Sequence, residues 1–225
     1  MLTPGQERRI RALHIKKGRI KHGQCLVEGE HAVESAASFV EYTFSREDTP
    51  DFDELVTTET PQDIAAVARI PLFTIEDVMS SNTVLVLDNV QDPGNVGAII
   101  RLCKAFDASL ILVSSVDPTN PKTLRSSTGM IFSVPWLKVH EDDIEDVISQ
   151  NSREIFRLEK RDVSQDISVI QNDKPIFLFV GSEGSGINLP INGTSVSINH
   201  SATLESINVG NAVAITLFLR STGDR

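Results

Sequence analysis

The pattern of hydrophobic and polar positions changes near residue 82. Beyond it, four short apolar runs alternate with longer segments of helical spacing. The runs cover residues 83–87, 110–113, 176–180 and 195–198. Short buried strands that alternate with helices are typical of βαβ units. We therefore expect an α/β fold with a mostly parallel sheet flanked by helices.

Two helices can be placed in this part of the chain. Ile99, Cys103 and Phe106 recur at helical spacing and predict one core-facing stripe, and Arg101 falls off that stripe towards the polar side. Asn95 occupies the position expected for the N-cap of this helix. Residues 202–219 predict a last helix, apolar on most faces in its later part and therefore buried.

The first third of the chain has a different pattern. Residues 8–22 predict a basic helix or helix-turn, 33–39 a second short helix, and 41–63 an acidic, turn-rich stretch. Residues 74–82 predict a linker. The expected domains are therefore a small one over 1–78 and a larger one over 79–225.

Charge gives conflicting evidence about a nucleic-acid partner. The chain of 225 residues has a formal net charge of −10, which argues against such a partner. Residues 1–24 nevertheless carry about +6, and the remainder about −16. This segment is either a solvated basic helix face or a phosphate-binding patch on an acidic body. The candidate contacts are Arg8, Arg9, Arg11, Lys16, Lys17 and Arg19.

Other classes of protein are disfavoured. The chain has no apolar run of about 18 residues that would span a membrane, and its basic N-terminus lacks the apolar core of a signal peptide. Its two cysteines, Cys25 and Cys103, lie far apart and form neither a metal motif nor a disulfide framework. We expect a cytoplasmic protein that binds no metal.

Three segments carry candidate chemistry. Residues 87–101 leave a strand end, where ligands bind in open α/β sheets, although an ordinary strand-to-helix turn would also explain them. Residues 179–187 place three glycines in six residues after a buried strand, without the order of a dinucleotide fingerprint or P-loop. Residues 197–212 place polar side chains before an apolar helix, and helix capping would also explain that pattern.

Taken together and in order, these segments resemble the three motifs of the SpoU family within the SPOUT methyltransferases. Asn95, Gly97 and Arg101 are similar to its N-x-G-x-x-x-R motif. The second segment, through Gly181, Glu183 and Gly186, is similar to its G-x-E-x-x-G loop. The third is similar to its S-L-N helix start through Ser206, Ile207 and Asn208. The resemblance covers about residues 83–222.

Two further stretches resemble related proteins. Residues 117–129, which include Lys122 and Arg125, are similar to the middle region of the family, and we expect both residues to contact RNA. Residues 17–30 look like the substrate-binding domain ahead of many SpoU catalytic domains, which resembles ribosomal protein L30e. This second resemblance favours RNA as the partner of the basic segment.

The resemblance implies a fold, a cofactor and an assembly. The expected fold is a C-terminal trefoil knot that binds S-adenosylmethionine, in a protein that forms a homodimer. Carried over by position, the cofactor contacts are Gly181, Ser182, Ile198, Leu204 and Ile207.

The resemblance also implies the reaction, methyl transfer to a ribose 2′-hydroxyl, most simply in ribosomal RNA. Its catalytic residues would be Asn95, Arg101, Glu183, Ser206 and Asn208. A guanidinium is a poor base because its pKa exceeds about 12, so we expect Arg101 to act electrostatically on phosphate and developing alkoxide.

The chain departs from the family pattern beside the third motif. Asn199 and His200 stand where Pro-Met is usual, and Ile207 where leucine is usual. The first change alters a pocket wall. It keeps open the alternative of a catalytically silent RNA-binding relative, beside a transfer RNA methyltransferase. A nucleotide-binding oxidoreductase is disfavoured by the absence of G-x-G-x-x-G.

Overall fold

The computed structural model describes residues 1–161, 163–171, 174–182, 184–201, 203–204 and 206–222. The N-terminal part holds a three-stranded antiparallel sheet of order β1-β3-β2, formed by β1 (Gln24–Glu28), β2 (Val40–Ser45) and β3 (Ile64–Arg69). Four helices accompany it: α1 (Pro4–Leu13), α2 (Lys16–His22), α3 (Glu30–Ser35) and α4 (Phe52–Leu55).

The predicted basic helix of residues 8–22 is divided into α1 and α2. A capping box of Thr3 and Gln6 starts α1, which buries Ile10 and Leu13 in the N-terminal core. The two helices touch at Gly18, where a Cβ atom would lie 1.8 Å from the Ala12 carbonyl oxygen. The turn-rich prediction for residues 41–63 is wrong at its start, because that segment continues strand β2.

The predicted linker at residues 74–82 is also wrong. A capping box of Thr74 and Asp77 starts helix α5 (Ile75–Met79) within it. Val78 is fully buried, and its carbonyl oxygen accepts a hydrogen bond of 2.6 Å from Ser109 Oγ. The polar residues 80–82 suggested a linker, whereas one buried valine anchors the segment to the core.

The C-terminal part is built on a seven-stranded sheet in which every pairing is parallel. Its order is β6-β5-β4-β9-β7-β10-β8. The strands are β4 (Thr83–Asp88), β5 (Ser109–Val113), β6 (Trp136–Val139), β7 (Glu154–Leu158), β8 (Gln165–Asp166), β9 (Ile176–Gly181) and β10 (Thr194–Ser197). The helices after α5 are α6 (Pro93–Ala105), α7 (Pro121–Ser126), α8 (Ile144–Ser149) and α9 (Val209–Thr222).

The four predicted strands are confirmed as β4, β5, β9 and β10. Alternate residues of the central strands enter two separate cores, because successive side chains of a strand point to opposite faces. Leu85 and Leu178 pack with α6 and α9, whereas Val84 and Phe177 pack with α5 and α8. Helices therefore cover both faces, and the C-terminal strand ends meet at one edge. Threading of the chain into a knot stays a prediction.

Helix α9 begins at Val209 and not at the predicted residue 202, which lies outside the described residues. Asn208 starts it, because its Oδ1 accepts hydrogen bonds from the backbone nitrogens of Gly210 (3.0 Å) and Asn211 (3.3 Å). Neither α9 nor any other helix of the described ranges is long and apolar enough to cross a bilayer.

Candidate active site

A cavity of about 410 Å³ opens at the edge of the sheet where β7, β9 and β10 end. Its walls come from the segments that follow these strands and from the first turn of α9. Ligands of α/β proteins bind at such an edge. No group of three His, Cys, Asp or Glu side chains suited to a metal ion occurs among the described residues.

The glycine-rich segment after β9 forms one tight wall of this cavity. A Cβ atom at Gly181 would lie 2.1 Å from the carbonyl group of Gly186, so only glycine allows the loop to fold back on itself. The backbone nitrogen of Gly186 donates to the Ser182 carbonyl over 3.0 Å, and Ser182 Oγ lies 2.8 Å from Ser185 Oγ. Glu183, a predicted catalytic residue, lies outside the described residues.

Most of the predicted cofactor contacts lie together at this cavity. Gly181, Ser182, Ile198 and Ile207 line it, and so does Ser206, which we predicted as catalytic. Leu204 does not: it is absent from the walls and half of its surface is exposed. Leu204 instead closes a turn, its backbone nitrogen donating to the Ser201 carbonyl oxygen over 3.0 Å, and its role as a cofactor contact stays a prediction.

Other lining residues were missed by the sequence analysis. Leu158, Glu159, Lys160 and Arg161 form a wall after β7. The strand itself was missed, because Glu154 and Arg157 interrupt its apolar pattern. The sequence pattern therefore did not indicate that Leu158 and Glu159 line a binding site.

The two residues that depart from the family pattern have different surroundings. Asn199 donates from Nδ2 to Asp166 Oδ2 over 3.0 Å and is not among the lining residues. His200 lines the cavity, and its Nδ1 lies 2.7 Å from the Ile198 carbonyl oxygen. Because a carbonyl only accepts, Nδ1 carries a proton, and the buried Nε2 has no partner within the described part of the chain. Of the two residues that differ from the family pattern, only His200 changes the wall of the cavity, and Asn199 lies outside it.

The first motif lies on α6, beside the start of α9. Asp92 caps α6 by accepting a 2.8 Å hydrogen bond from the backbone nitrogen of Asn95, so the prediction of Asn95 as the N-cap is wrong. The Asn95 side chain instead accepts a hydrogen bond of 3.0 Å from Nδ2 of Asn208. Arg101 lies further along α6 with an exposed side chain, outside the cavity walls. The structure therefore brings Asn95, Ser206 and Asn208 together and leaves Arg101 on the adjoining surface.

The predicted RNA contacts fall into exposed and engaged groups. Arg8, Lys16, Lys17 and Lys122 are exposed. Arg9 donates to Gln24, and Arg11 pairs with Asp51 and Glu54. The first group can meet phosphates directly.

Arg19 and Arg125 instead join the two parts of the chain. Arg19 is 3% exposed and donates to Asp117 Oδ2 (2.9 Å) and Thr119 Oγ1 (3.1 Å). Its prediction as an RNA contact is wrong, because the guanidinium is buried against these acceptors. Arg125 is less buried and donates to Glu28 Oε1 over 3.2 Å. A basic residue in a sequence thus need not be a surface cation.

Comparison with known proteins agrees with the motifs. The SpoU rRNA Methylase family model matches residues 82–218, more than half of the chain. A relative from Bacillus subtilis, the 23S rRNA (guanosine(2553)-2′-O)-methyltransferase RlmP, is 29% identical over 92% of this chain and 92% of its own length.

Two solved structures share the fold over almost the whole chain. The AdoMet-bound rRNA methyltransferase from Sinorhizobium meliloti has a TM-score of 0.87 at 23% identity, covering 99% of this chain and 96% of that one. The SpoU methyltransferase AviRb from Streptomyces viridochromogenes, in complex with AdoMet, has a TM-score of 0.86 at 21% identity, covering 99% and 98%. The α/β prediction is confirmed, and the chain belongs to the SpoU rRNA methylase family.

Proposed function

We propose that this protein transfers a methyl group from S-adenosylmethionine to a ribose 2′-hydroxyl of ribosomal RNA. The supporting observation is the hydrogen bond between Asn95 and Asn208, which joins the first motif to the third, whose Ser206 and Ile207 line the cavity. The second motif supplies another part of the wall through Gly181 and Gly186. Family membership and the relative's rRNA substrate favour this reaction.

The cavity suits the proposed cofactor in size and chemistry. Its volume of about 410 Å³ falls within the range of about 300–1,000 Å³ typical of small-molecule sites. Leu158, Ile198 and Ile207 offer apolar surface to an adenine ring, and the backbone at Gly181 allows close approach. S-adenosylmethionine would supply the electrophilic methyl group.

The surrounding side chains would position and polarise the ribose. Methyl transfer needs an in-line approach of the hydroxyl oxygen, so orientation is the main demand. Ser206 offers a hydroxyl on the cavity wall, Asn208 follows it in the chain and holds Asn95, and Glu183 belongs to the same motif set. Arg101 would hold the adjacent phosphate and stabilise negative charge on the oxygen.

The N-terminal part would hold the RNA. We assign residues 1–78 to an L30e-like substrate-binding domain and 79–225 to the catalytic domain. The exposed cations Arg8, Lys16 and Lys17 on α1 and α2 support a phosphate-binding surface. Lys122 would extend that surface onto the catalytic domain. A cytoplasmic location remains a prediction.

We further assign a homodimer formed through α9. Ile215 and Phe218 lie one turn apart on this helix and are 38% and 57% exposed. Large apolar side chains exposed side by side mark an association surface. Because the first turn of α9 also lines the cavity, a second copy packed on this helix would lie near the active site. Sedimentation should show a dimer that Phe218→Asp dissociates and that Leu72→Asp, at an exposed leucine of the N-terminal part, leaves intact.

Transfer of tritiated methyl groups tests the proposal directly. Unmodified ribosomal RNA should be labelled in the presence of this protein and S-adenosylmethionine. Binding of the RNA without incorporation would favour a catalytically silent relative, and selective labelling of transfer RNA would replace the substrate. The catalytically silent alternative is retained because His200, which differs from the family pattern, lines the cavity.

A further inference from the structure

Glu159 directly follows β7, outside all three motifs, and forms part of the cavity wall. Its backbone nitrogen donates to the Val196 carbonyl oxygen over 3.0 Å, which fixes the residue beside β10. Its side chain is 11% exposed. The wall therefore contains a carboxylate that is almost buried but borders the space for a ligand.

The two carboxylate oxygens of Glu159 have different environments. Oε1 accepts hydrogen bonds from Arg157 Nε (2.8 Å) and Ser195 Oγ (2.8 Å) and forms an ion pair with Arg161 Nε at 3.0 Å. Within the described ranges, no protein donor contacts Oε2, and Oε2 is not among the fully buried unpaired atoms. One oxygen thus orients the group, and the other is available to a ligand.

These contacts also determine the charge of Glu159. Burial alone would raise the pKa of the Glu159 carboxyl. The hydrogen bonds from Arg157 and Ser195 and the charges of Arg157 and Arg161 outweigh burial, so the pKa lies below its ordinary value. The group is therefore ionised at neutral pH. An ionised carboxylate only accepts hydrogen bonds, so its ligand partner must be a donor.

Arg157 holds this carboxylate in register with the glycine-rich wall. Arg157 is 7% exposed and donates from Nη1 to the carbonyl oxygens of Leu189 (3.0 Å) and Ile191 (2.6 Å), in the segment that follows the loop. Its Nε is directed at Glu159. A single buried guanidinium therefore links two walls of the cavity and limits the movement of Oε2.

The position of Glu159 favours one part of the cofactor. Its nearest neighbours in the chain are the apolar Leu158, on the inner side, and the exposed Lys160 and Arg161 on the outer side. The apolar inner surface suits the faces of an adenine ring, and the outer cations suit a carboxylate. The ribose would lie between the two, and its hydroxyls are donors that a carboxylate binds strongly.

We infer that Glu159 is a cofactor-binding residue whose Oε2 accepts a hydrogen bond from a ribose hydroxyl of S-adenosylmethionine. This inference rests on the proposed function. It adds a contact from a residue that lies outside the three motifs. Arg157 acts as the positioning residue for that contact.

Calorimetric titration with S-adenosylhomocysteine and with 5′-methylthioadenosine tests the inference without catalysis. Glu159→Gln should weaken both ligands by about tenfold or more, since a charge-assisted hydrogen bond is lost. Glu154→Gln, on the same strand but paired with Lys174 outside the cavity walls, is the matched control and should bind normally. Unchanged affinity in Glu159→Gln would overturn the inference, whereas a wild-type protein that binds neither ligand would overturn the proposed function.

A change in the ligand separates a lost contact from a distorted pocket. The 2′-deoxy and 3′-deoxy forms of 5′-methylthioadenosine each lack one ribose hydroxyl. One of them should bind the wild-type protein more weakly than 5′-methylthioadenosine does. The Glu159→Gln variant should bind that form and 5′-methylthioadenosine equally well. Such non-additivity shows a direct interaction. The ribose contact would be contradicted if each deoxy form lost the same affinity for the wild-type protein and for Glu159→Gln. It would also be contradicted if Glu159→Gln weakened S-adenosylhomocysteine alone, because the two ligands share the same ribose.

Discussion

Asn208 donates a hydrogen bond of 3.0 Å from Nδ2 to Oδ1 of Asn95, across 113 residues of sequence. The other end of the same amide, Oδ1, accepts from the backbone nitrogens of Gly210 and Asn211 and caps α9. One side chain therefore starts a helix and fixes the distance between two motifs. An amide suits residue 208 because its nitrogen donates and its oxygen accepts at two separate atoms, which reach in different directions.

Replacing Asn208 separates its two roles. Asn208→Ala should lower the free energy of unfolding by about 0.5–2 kcal/mol, the usual cost of a lost N-cap. Asn208→Ser should recover most of that stability, because a serine hydroxyl can cap α9. Both variants should lose methyl transfer, because alanine has no donor and the shorter serine side chain does not reach Asn95 while its oxygen caps α9. Denaturant unfolding and methyl incorporation give the two readouts, and full activity in Asn208→Ser would contradict a role for the link.

Arg101 should affect chemistry and not cofactor binding. Its exposed side chain lies outside the cavity walls, so Arg101→Ala should abolish transfer while cofactor affinity stays within a few-fold. Lys104→Ala, which removes another exposed cation from α6, is the control and should retain activity. A calorimetric titration that shows cofactor affinity lost with Arg101→Ala would contradict this division.

The buried Arg19–Asp117 pair should be needed for stability. Arg19→Met removes the cation nearest to Asp117 and leaves only Lys138, at 3.8 Å, to pair with it. Breaking a buried pair costs roughly 3–5 kcal/mol. Lys17→Met, on the same helix but exposed, should change stability by no more than about 0.5 kcal/mol. Equal denaturant midpoints for the two variants would show that Arg19 is not a structural residue.

The same pair predicts a pH dependence. Burial raises the pKa of Asp117, but the hydrogen bond from Arg19, the charge of Lys138 and the bonds from Thr119 bring it below its ordinary value. The stabilisation is therefore complete above the ordinary carboxyl pKa, about 4, and is lost as the pH falls through the lower folded value. The free energy of unfolding should fall less steeply in Asp117→Asn over that acidic range. Parallel curves would assign the acid sensitivity to other groups.

The exposed cations should determine the salt dependence of RNA binding. Replacing Arg8, Lys16 and Lys17 with alanine should weaken binding and reduce the slope of log affinity against log salt by about two to three, as phosphate contacts are lost. Arg46→Ala is the control, because Arg46 already pairs with Asp53 and Asp63. An unchanged slope in the triple variant would place the RNA elsewhere.

The sequence predicted the sheet through its apolar runs, because buried parallel strands contain few polar residues. The apolar pattern missed β7 because this strand contains Arg157. The guanidinium can be buried because it donates to three carbonyl oxygens that are distant in sequence. Arg19 was misassigned for the same reason, since its side-chain acceptors, Asp117 and Thr119, lie about 100 residues away. Buried charges depend on partners that local patterns do not reveal.

The candidate site was predictable to the extent that it lies in motifs. Gly181, Ser182, Ile198, Ser206 and Ile207 are placed together by the edge of a parallel sheet, as motif order implied. Glu159 gave no such signal, because its role depends on Ser195 and Arg157 meeting one of its oxygens. The lining of a cavity by a segment outside the motifs can be found only from the folded chain.

The central claim is the transfer of a methyl group to a ribose oxygen, and the chemistry of the product tests it most directly. Unmodified ribosomal RNA treated with this protein and labelled S-adenosylmethionine should be hydrolysed in alkali and separated. A 2′-O-methyl group blocks cleavage at its own nucleotide, so the account predicts label in an alkali-resistant dinucleotide. Label in a mononucleotide would show a methylated base, and that result would contradict the account.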